Sequence, residues 1–253
     1  MLPMTVRARV RAPLATAVLL LLAGCGGAGN GTAAAEATPP EDFGCLTEAQ
    51  AKAGSTSYDD TEGNPVDAWL GGKGDAAVLL MHQSDGDLCQ WMPQADLLAG
   101  DGYRVLAVDS NGSEVPEVVA GVALLRAKGA RHVLLMGASK GGTGVLAGAV
   151  EVNPPVDAVV ALSAPEYYGV TDAASAVPRL TAPVLYMAAA GDTEFAEAGK
   201  ALHKATTKAP EKRLEIVGGP MHGVGMLTDD ANWATVTAFL AKYAGGSGGG
   251  GAG

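Results

Sequence analysis

Short, uniformly apolar runs alternate with longer amphipathic segments from Val66 to Tyr243. The runs are apolar throughout instead of at every second position, which is typical of strands buried on both faces. Strands are predicted over residues 76–81, 104–108, 131–136, 156–162, 183–188 and 213–217. Helices are predicted over residues 88–98, 116–128, 140–150, 194–206 and 229–243. The alternation predicts an α/β fold, in which helices flank both faces of a mostly parallel sheet.

The chain has 253 residues, of which 48% are hydrophobic, and this is enough for one sizeable core. Its formal net charge is -10, and no cluster of Lys and Arg follows residue 11. Phosphate binding needs such clusters, so the composition argues against a nucleic-acid partner.

A positive stretch with Arg7, Arg9 and Arg11 precedes an apolar segment over residues 12–23. This order matches the charged and apolar regions of a secretory signal. The segment is shorter than the roughly 18 apolar residues that a membrane-spanning helix needs. The start of the chain is therefore predicted to be an export signal.

The apolar segment ends in Leu22-Ala23-Gly24-Cys25, which resembles the lipobox of bacterial lipoproteins. In that class the Cys is lipid-modified and becomes the new N-terminus. The resemblance implies a signal peptide over residues 1–24 and a lipid on Cys25 that anchors the protein to the outer face of the bacterial cell membrane. The alternative is an ordinary signal peptide with an incidental Cys25, and both interpretations predict export.

Composition divides the remaining chain into three parts. Residues 25–41 are rich in Gly, Ala, Thr and Pro and are predicted to be a flexible linker. Residues 42–243 form the predicted α/β domain. Residues 244–253 are nearly all glycine and are predicted to be a disordered tail.

If Cys25 carries lipid, Cys45 and Cys89 are the remaining pair in an oxidising compartment. A disulfide between them is therefore predicted. These cysteines and the four scattered histidines lack the spacing of a zinc site. We expect no metal and no cofactor.

The strand predicted over residues 131–136 is followed by Gly137-Ala138-Ser139-Lys140-Gly141 and then by a predicted helix. A G-x-S-x-G turn between a strand and a helix exposes a serine at the helix N-terminus. The alternative is a glycine-rich turn whose serine caps the helix. Over residues 60–243 the chain resembles the α/β-hydrolase family, including its serine esterases and dienelactone-hydrolase-like members. The resemblance implies that Ser139 is the nucleophile.

In that family the acid and then the base follow the serine along the chain. Asp192 follows the strand predicted over residues 183–188, and His222 follows the last predicted strand. The resemblance implies that His222 is the base and that Asp192 orients it. The alternatives are a surface histidine and a helix-capping aspartate, with Glu194 and Glu166 as fallback acids.

The family's oxyanion hole uses two backbone N–H groups. Lys140 supplies one, and the loop after the strand over residues 76–81 supplies the other, from Gln83 or Ser84. Gln83 departs from the His-Gly pattern of many family members, so this choice stays open. A helix cap at Ser84 or Asp87 is the alternative interpretation of the loop.

About twenty residues separate Ser163 from Pro183, too few for a large helical cap, so we expect an open site. Ser84, Tyr167 and Tyr168 are predicted to line it, with loop packing as the alternative for the two tyrosines. The resemblance to the α/β-hydrolase family implies a monomeric serine hydrolase that cleaves small-molecule or lipid-like carboxylic esters through an acyl-enzyme. The resemblance to the lipobox implies that this hydrolase is exported and tethered to the membrane. The alternatives are a thioesterase or acyltransferase of the same fold, or an inactive ligand-binding lipoprotein.

Overall fold

The computed structural model describes residues 40–112 and 114–245. Its strands are β1 (Ser55–Asp59), β2 (Pro65–Gly71), β3 (Ala76–Met81), β4 (Arg104–Asp109), β5 (His132–Ala138), β6 (Ala158–Leu162), β7 (Tyr167–Tyr168), β8 (Thr171–Asp172), β9 (Val184–Ala189) and β10 (Lys212–Val217). Its α-helices are α1 (Glu48–Gly54), α2 (Met92–Gly100), α3 (Glu114–Ala127), α4 (Lys140–Ala149), α5 (Ala173–Ala176), α6 (Thr193–Ala205) and α7 (Asp230–Tyr243). Short 3-10 segments cover Leu88–Trp91, Val177–Arg179 and Gly223–Thr228.

The main sheet has eight strands in the order β1-β2-β4-β3-β5-β6-β9-β10. Strand β2 pairs antiparallel with β1 and with β4. The neighbouring strands in the rest of the sheet, β4-β3-β5-β6-β9-β10, are parallel. This confirms the predicted mostly parallel sheet. The carboxyl ends of the parallel strands meet at one edge, where open α/β sheets bind their ligands.

Apolar side chains fill the space on both faces of the sheet. Along β3, Val78 belongs to one core cluster and Leu79 to the other, because successive side chains of a strand point to opposite faces. Phe239 of α7 packs into the first cluster, and Val122 of α3 packs into the second. The helices therefore cover both faces, as the uniformly apolar strands predict.

Each predicted strand and helix is present, with bounds that differ by a few residues. The helix predicted over residues 88–98 is divided, because the Asp87 carboxylate caps a 3-10 segment before α2 begins at Met92. Pro93 fits the first turn of a helix, where its missing N–H costs no hydrogen bond. Sequence analysis missed α1, β1 and β2, because these elements contain polar and partly exposed positions.

Cys45 and Cys89 form a disulfide, with their Cα atoms 5.9 Å apart. This confirms the pairing predicted from the cysteine count. The bond joins the segment before α1 to the 3-10 segment Leu88–Trp91, which lies just after the loop that follows β3.

The predicted signal peptide and Cys25 lie outside the described residues, as do most of the predicted linker and tail. Within residues 40–112 and 114–245, no helix has both the length and the apolarity needed to cross a bilayer.

Candidate active site

Ser139 occupies the sharp turn between β5 and α4, with φ 49° and ψ -119°. A positive φ is uncommon for a residue with a side chain, and such strain is concentrated at functional sites. The Ser139 N–H donates to the Leu162 carbonyl at 2.8 Å, and the Thr143 N–H donates to the Ser139 carbonyl at 3.0 Å. The Ser139 side chain makes no capping hydrogen bond to α4, which argues against the helix-cap alternative.

The turn needs glycine because backbone segments approach closely around it. A Cβ atom on Gly141 would lie 2.3 Å from the Met81 carbonyl oxygen, and one on Gly137 would lie 2.1 Å from the Gly141 oxygen. Neither distance is compatible with a larger residue, so the small residues of the motif let the turn pack against the end of β3.

Asp192 and His222 lie in the loops after β9 and β10. The His222 Nδ1 atom and the Asp192 Oδ2 atom are 2.7 Å apart. With the proton on Nδ1 donated to the carboxylate, Nε2 is left to accept a proton. Asp192 makes no side-chain capping bond to α6, and neither Glu194 nor Glu166 forms a hydrogen bond to His222 among the described residues.

The loop that carries His222 packs against the turn that carries Ser139. A Cβ atom on Gly223 would lie 3.2 Å from the Cβ of Ala138, so the neighbours of the two residues are in contact. Among the described residues, Ser139 and His222 do not form a hydrogen bond with each other. In ligand-free enzymes this bond is often long and shortens when the substrate binds.

Ser163 connects the acid to the loop of the base, and sequence analysis missed it. Ser163 is 1% exposed, and its hydroxyl donates to Asp192 Oδ2 at 3.0 Å while accepting the Gly223 N–H at 3.1 Å. The residue has φ 45° and directly follows β6. Its position at the end of a strand is the signal that could have identified it.

No protein-family model matches the chain, and no curated protein matches it in sequence. The fold is similar to that of an esterase from Pyrococcus furiosus, with a TM-score of 0.64, 17% identity, and coverage of 74% of this chain and 91% of that one. An esterase domain of a Rhodothermus marinus protein has a TM-score of 0.62 and 20% identity, covering 75% of this chain and 98% of its own. A monoacylglycerol lipase from Paleococcus ferrophilus has a TM-score of 0.60 and 16% identity, covering 70% and 99%.

The chain has the α/β-hydrolase fold. The similarity to these neighbours confirms the predicted fold class. At such low sequence identity the structural similarity establishes the fold alone. The reaction depends on the side chains of the site, because one fold supports many different reactions.

The loop after β3 of the α/β-hydrolase domain is closed by glutamine side chains. The Gln83 N–H donates to Gln90 Oε1 at 3.1 Å, whereas no acceptor is found for the Ser84 N–H among the described residues. The Gln83 amide also accepts the Val224 N–H at 2.7 Å. Gln83 and Ser84 are the two predicted oxyanion donors in this loop. Among the described residues, only the Ser84 backbone N–H has no hydrogen-bond acceptor.

His82 and Lys140 lie buried beside this loop. The His82 Nδ1–H donates to the Gln83 carbonyl at 2.6 Å, and its Nε2 accepts the Ser110 N–H at 3.0 Å. Burial lowers the pKa of His82, which fits a neutral imidazole with both nitrogens paired. The Lys140 ammonium donates to the Ser110 carbonyl at 3.4 Å. Lys140 is also the first residue of α4.

One aromatic ring packs against His222, and two tyrosines lie in the hairpin after β6. The Phe195 ring lies edge-on to His222, with ring centroids 4.3 Å apart, and restricts the imidazole. Tyr167 and Tyr168 form β7 of a short hairpin with β8, and they are 61% and 37% exposed. The hairpin follows β6 and is therefore at the same sheet edge as the serine turn.

Proposed function

We propose that the protein is a serine hydrolase that cleaves carboxylic esters through an acyl-enzyme. The observation that carries this proposal is the Asp192–His222 pair, 2.7 Å apart, at the same sheet edge as a strained serine on a strand-to-helix turn. The esterases and the lipase of similar fold support the same reaction class.

In the first half of the reaction, the Ser139 hydroxyl attacks the ester carbonyl and His222 Nε2 takes its proton. Asp192 holds Nδ1–H and stabilises the imidazolium. The carbonyl oxygen becomes an oxyanion, which accepts hydrogen bonds from the Lys140 and Ser84 N–H groups. When the tetrahedral intermediate collapses, the C–O bond to the alcohol breaks and His222 returns the proton to that alcohol.

In the second half, a water molecule attacks the ester that joins the acyl group to Ser139. His222 accepts a proton from this water and then passes it to the Ser139 oxygen as the acyl bond breaks. The products are a carboxylic acid and the free serine. This sequence needs no cofactor and no metal.

Two measurements test the function. A fluorophosphonate probe should label the parent protein and fail to label Ser139→Ala. A series of p-nitrophenyl esters of increasing chain length should then show turnover and define the acyl preference. Labelling with turnover only of thioesters would favour the thioesterase alternative, and absence of both labelling and turnover would favour a ligand-binding protein.

The substrate side of the site is open. Between β6 and β9 the chain forms only the β7–β8 hairpin, α5 and a 3-10 turn, so a large cap is absent from this fully described segment. We propose that Ser84, Tyr167 and Tyr168 contact the ester, because all three lie in loops or short strands at the carboxyl edge of the sheet. Such a site accepts small or lipid-like esters.

Our proposal for the location is export, with a lipid on Cys25 as the anchor. It depends on the sequence Leu22-Ala23-Gly24-Cys25 after the charged and apolar segments. The mature protein should partition into detergent, and Cys25→Ser should stay unprocessed or become water-soluble. Mass spectrometry that finds an unmodified Cys25 in the mature parent protein would exclude the anchor.

A further inference from the structure

Both ends of the Gln83 side-chain amide are in use. Its Oε1 accepts the Val224 N–H at 2.7 Å, and its Nε2 donates to Asp85 Oδ1 at 3.1 Å. Gln83 is 7% exposed, and both hydrogen bonds are partly buried. The amide therefore joins the loop after β3 to the backbone two residues beyond His222.

Neighbouring side chains fix the orientation of the Gln83 amide. Gln90 Nε2 donates to Asp85 Oδ1 at 3.2 Å, the same oxygen that accepts from Gln83. Gln90 Oε1 also accepts the Gln83 N–H, at 3.1 Å. With Nε2 committed to Asp85, the Gln83 amide oxygen is directed at the loop that carries His222.

That loop leaves space for the amide oxygen. A Cβ atom on Gly223 would lie 2.2 Å from Gln83 Oε1, and Gly223 has φ 53°, a conformation that favours glycine. The two backbone N–H groups that follow His222 therefore donate to different loops. The Gly223 N–H donates to Ser163, and the Val224 N–H donates to Gln83.

We propose that the Gln83 side chain is a positioning residue for His222. By holding the Val224 N–H, it keeps the start of the Gly223–Thr228 segment in place, and with it the imidazole. The inference rests on the proposed function, because it assigns a role in the same reaction. Displacement of a catalytic group by about 1 Å can lower the rate by about 100-fold, so one backbone hydrogen bond beside the base is enough to matter.

The first test replaces the amide with an apolar side chain of similar length. Gln83→Met removes both hydrogen bonds, and kcat should fall by about 10-fold to 100-fold with KM little changed. Gln94→Met is the matched control: Gln94 is also 7% exposed, it lies on α2, and its Oε1 has no partner among the described residues. The control should keep the parental kcat.

The second variant, Gln83→Glu, keeps an acceptor for the Val224 N–H but replaces the donor to Asp85 with a carboxylate oxygen that repels it. It should recover part of the kcat that Gln83→Met loses. Two carboxylates of the described residues interact with His222: Asp192 accepts from Nδ1, and Asp85 has a pKa lowered by hydrogen bonds from Gln90 and Gln83 and by the His222 charge. A third carboxylate there favours the imidazolium, so the acid limb of the rate profile should move to higher pH.

Hydrogen exchange at the Val224 amide gives a readout that is independent of turnover. Exchange should become faster in Gln83→Met and stay at the parental rate in Gln94→Met. An unchanged exchange rate in Gln83→Met, or an equal loss of kcat in the two Met variants, would overturn the positioning role. If the parent hydrolyses no ester, the proposed function fails, and the exchange rate still decides whether Gln83 holds the loop.

Discussion

Asp192 Oδ2 accepts hydrogen bonds from two side chains, His222 Nδ1 at 2.7 Å and the Ser163 hydroxyl at 3.0 Å. The Ser163 hydroxyl holds the Asp192 carboxylate in place, and this carboxylate in turn orients the His222 imidazole. Residues of this kind act as a unit, because the benefit of each depends on the presence of the others. At the scale of single residues, substitutions should therefore combine in a non-additive way.

We expect Ser139→Ala and His222→Ala each to lower ester turnover by on the order of 10⁴-fold or more, and the double variant to lose little beyond that. Asp192→Asn should retain more activity, because removing the orienting acid costs less than removing the nucleophile or the base. Turnover should fall at acid pH, because a protonated imidazole cannot accept the Ser139 proton. Steady-state kinetics on one ester checks these values, and parental turnover in Ser139→Ala would contradict the mechanism.

His82 predicts a pH dependence of stability. Burial lowers its pKa in the folded protein, so the unfolded chain binds the proton more readily. Its contribution to stability is therefore fully present above the unfolded pKa of about 6.5 and is lost as pH falls through the folded value. Urea unfolding between about pH 7.5 and about pH 5 should show this decrease, and His82→Gln should show a shallower one. Equal slopes for the two proteins would contradict the assignment.

Helix α4 is almost entirely buried, which is unusual for a helix and results from its small residues. Its glycines bring the serine turn against the end of β3, as the short distance between a Gly141 Cβ and the Met81 oxygen illustrates. At the scale of elements, the glycines around Ser139 are thus needed for α4 to pack against β3, in addition to their place in the proposed catalytic motif. The two roles can be separated by measuring stability and turnover on the same variant.

Gly141→Ala should destabilise the protein by about 1–3 kcal/mol, because the new methyl group overlaps backbone that cannot move without shifting β3. It should also lower turnover, since Gly141 lies two residues after Ser139. Gly100→Ala is the matched control, because a Cβ atom there would meet nothing within 4 Å. Thermal unfolding with an ester assay distinguishes them, and equal stability of the two variants would refute the packing argument.

The Cys45–Cys89 disulfide acts at the scale of the whole molecule. It closes a sequence separation of 44 residues and fastens the segment before α1 to the segment that carries Gln90. Restricting the unfolded chain is the main stabilising effect of such a bond. The bond also connects the N-terminal side of the domain to the loop network around Gln83.

Replacing Cys45 and Cys89 together by Ala should lower the free energy of unfolding by about 2–4 kcal/mol. Reducing agent should lower the melting temperature of the parent and leave the double variant unchanged. Thiol titration of the unfolded, unreduced protein should find both cysteines oxidised. Free thiols at both positions would exclude the bond and the stability prediction together.

The sequence by itself determined the main strands and helices from β3 onward, the strand-to-helix turn at Ser139 and the positions of Asp192 and His222 after strands. These follow from local information: uniformly apolar runs mark buried strands, and residues after parallel strands share one sheet edge. Strands β1 and β2 escaped this reasoning because they contain polar, partly exposed positions and are not uniformly apolar.

Only the tertiary structure decided which polar groups pair across the site. Gln83 and Val224 are 141 positions apart, and Ser163 and Gly223 are 60 apart, so neither pairing leaves a local pattern. Hydrogen bonds of this kind depend on how separate loops pack, and a change of one rotamer would redirect them. The bond from the Gln83 N–H to Gln90 Oε1 is of the same kind, because only the folded loop brings the two groups together.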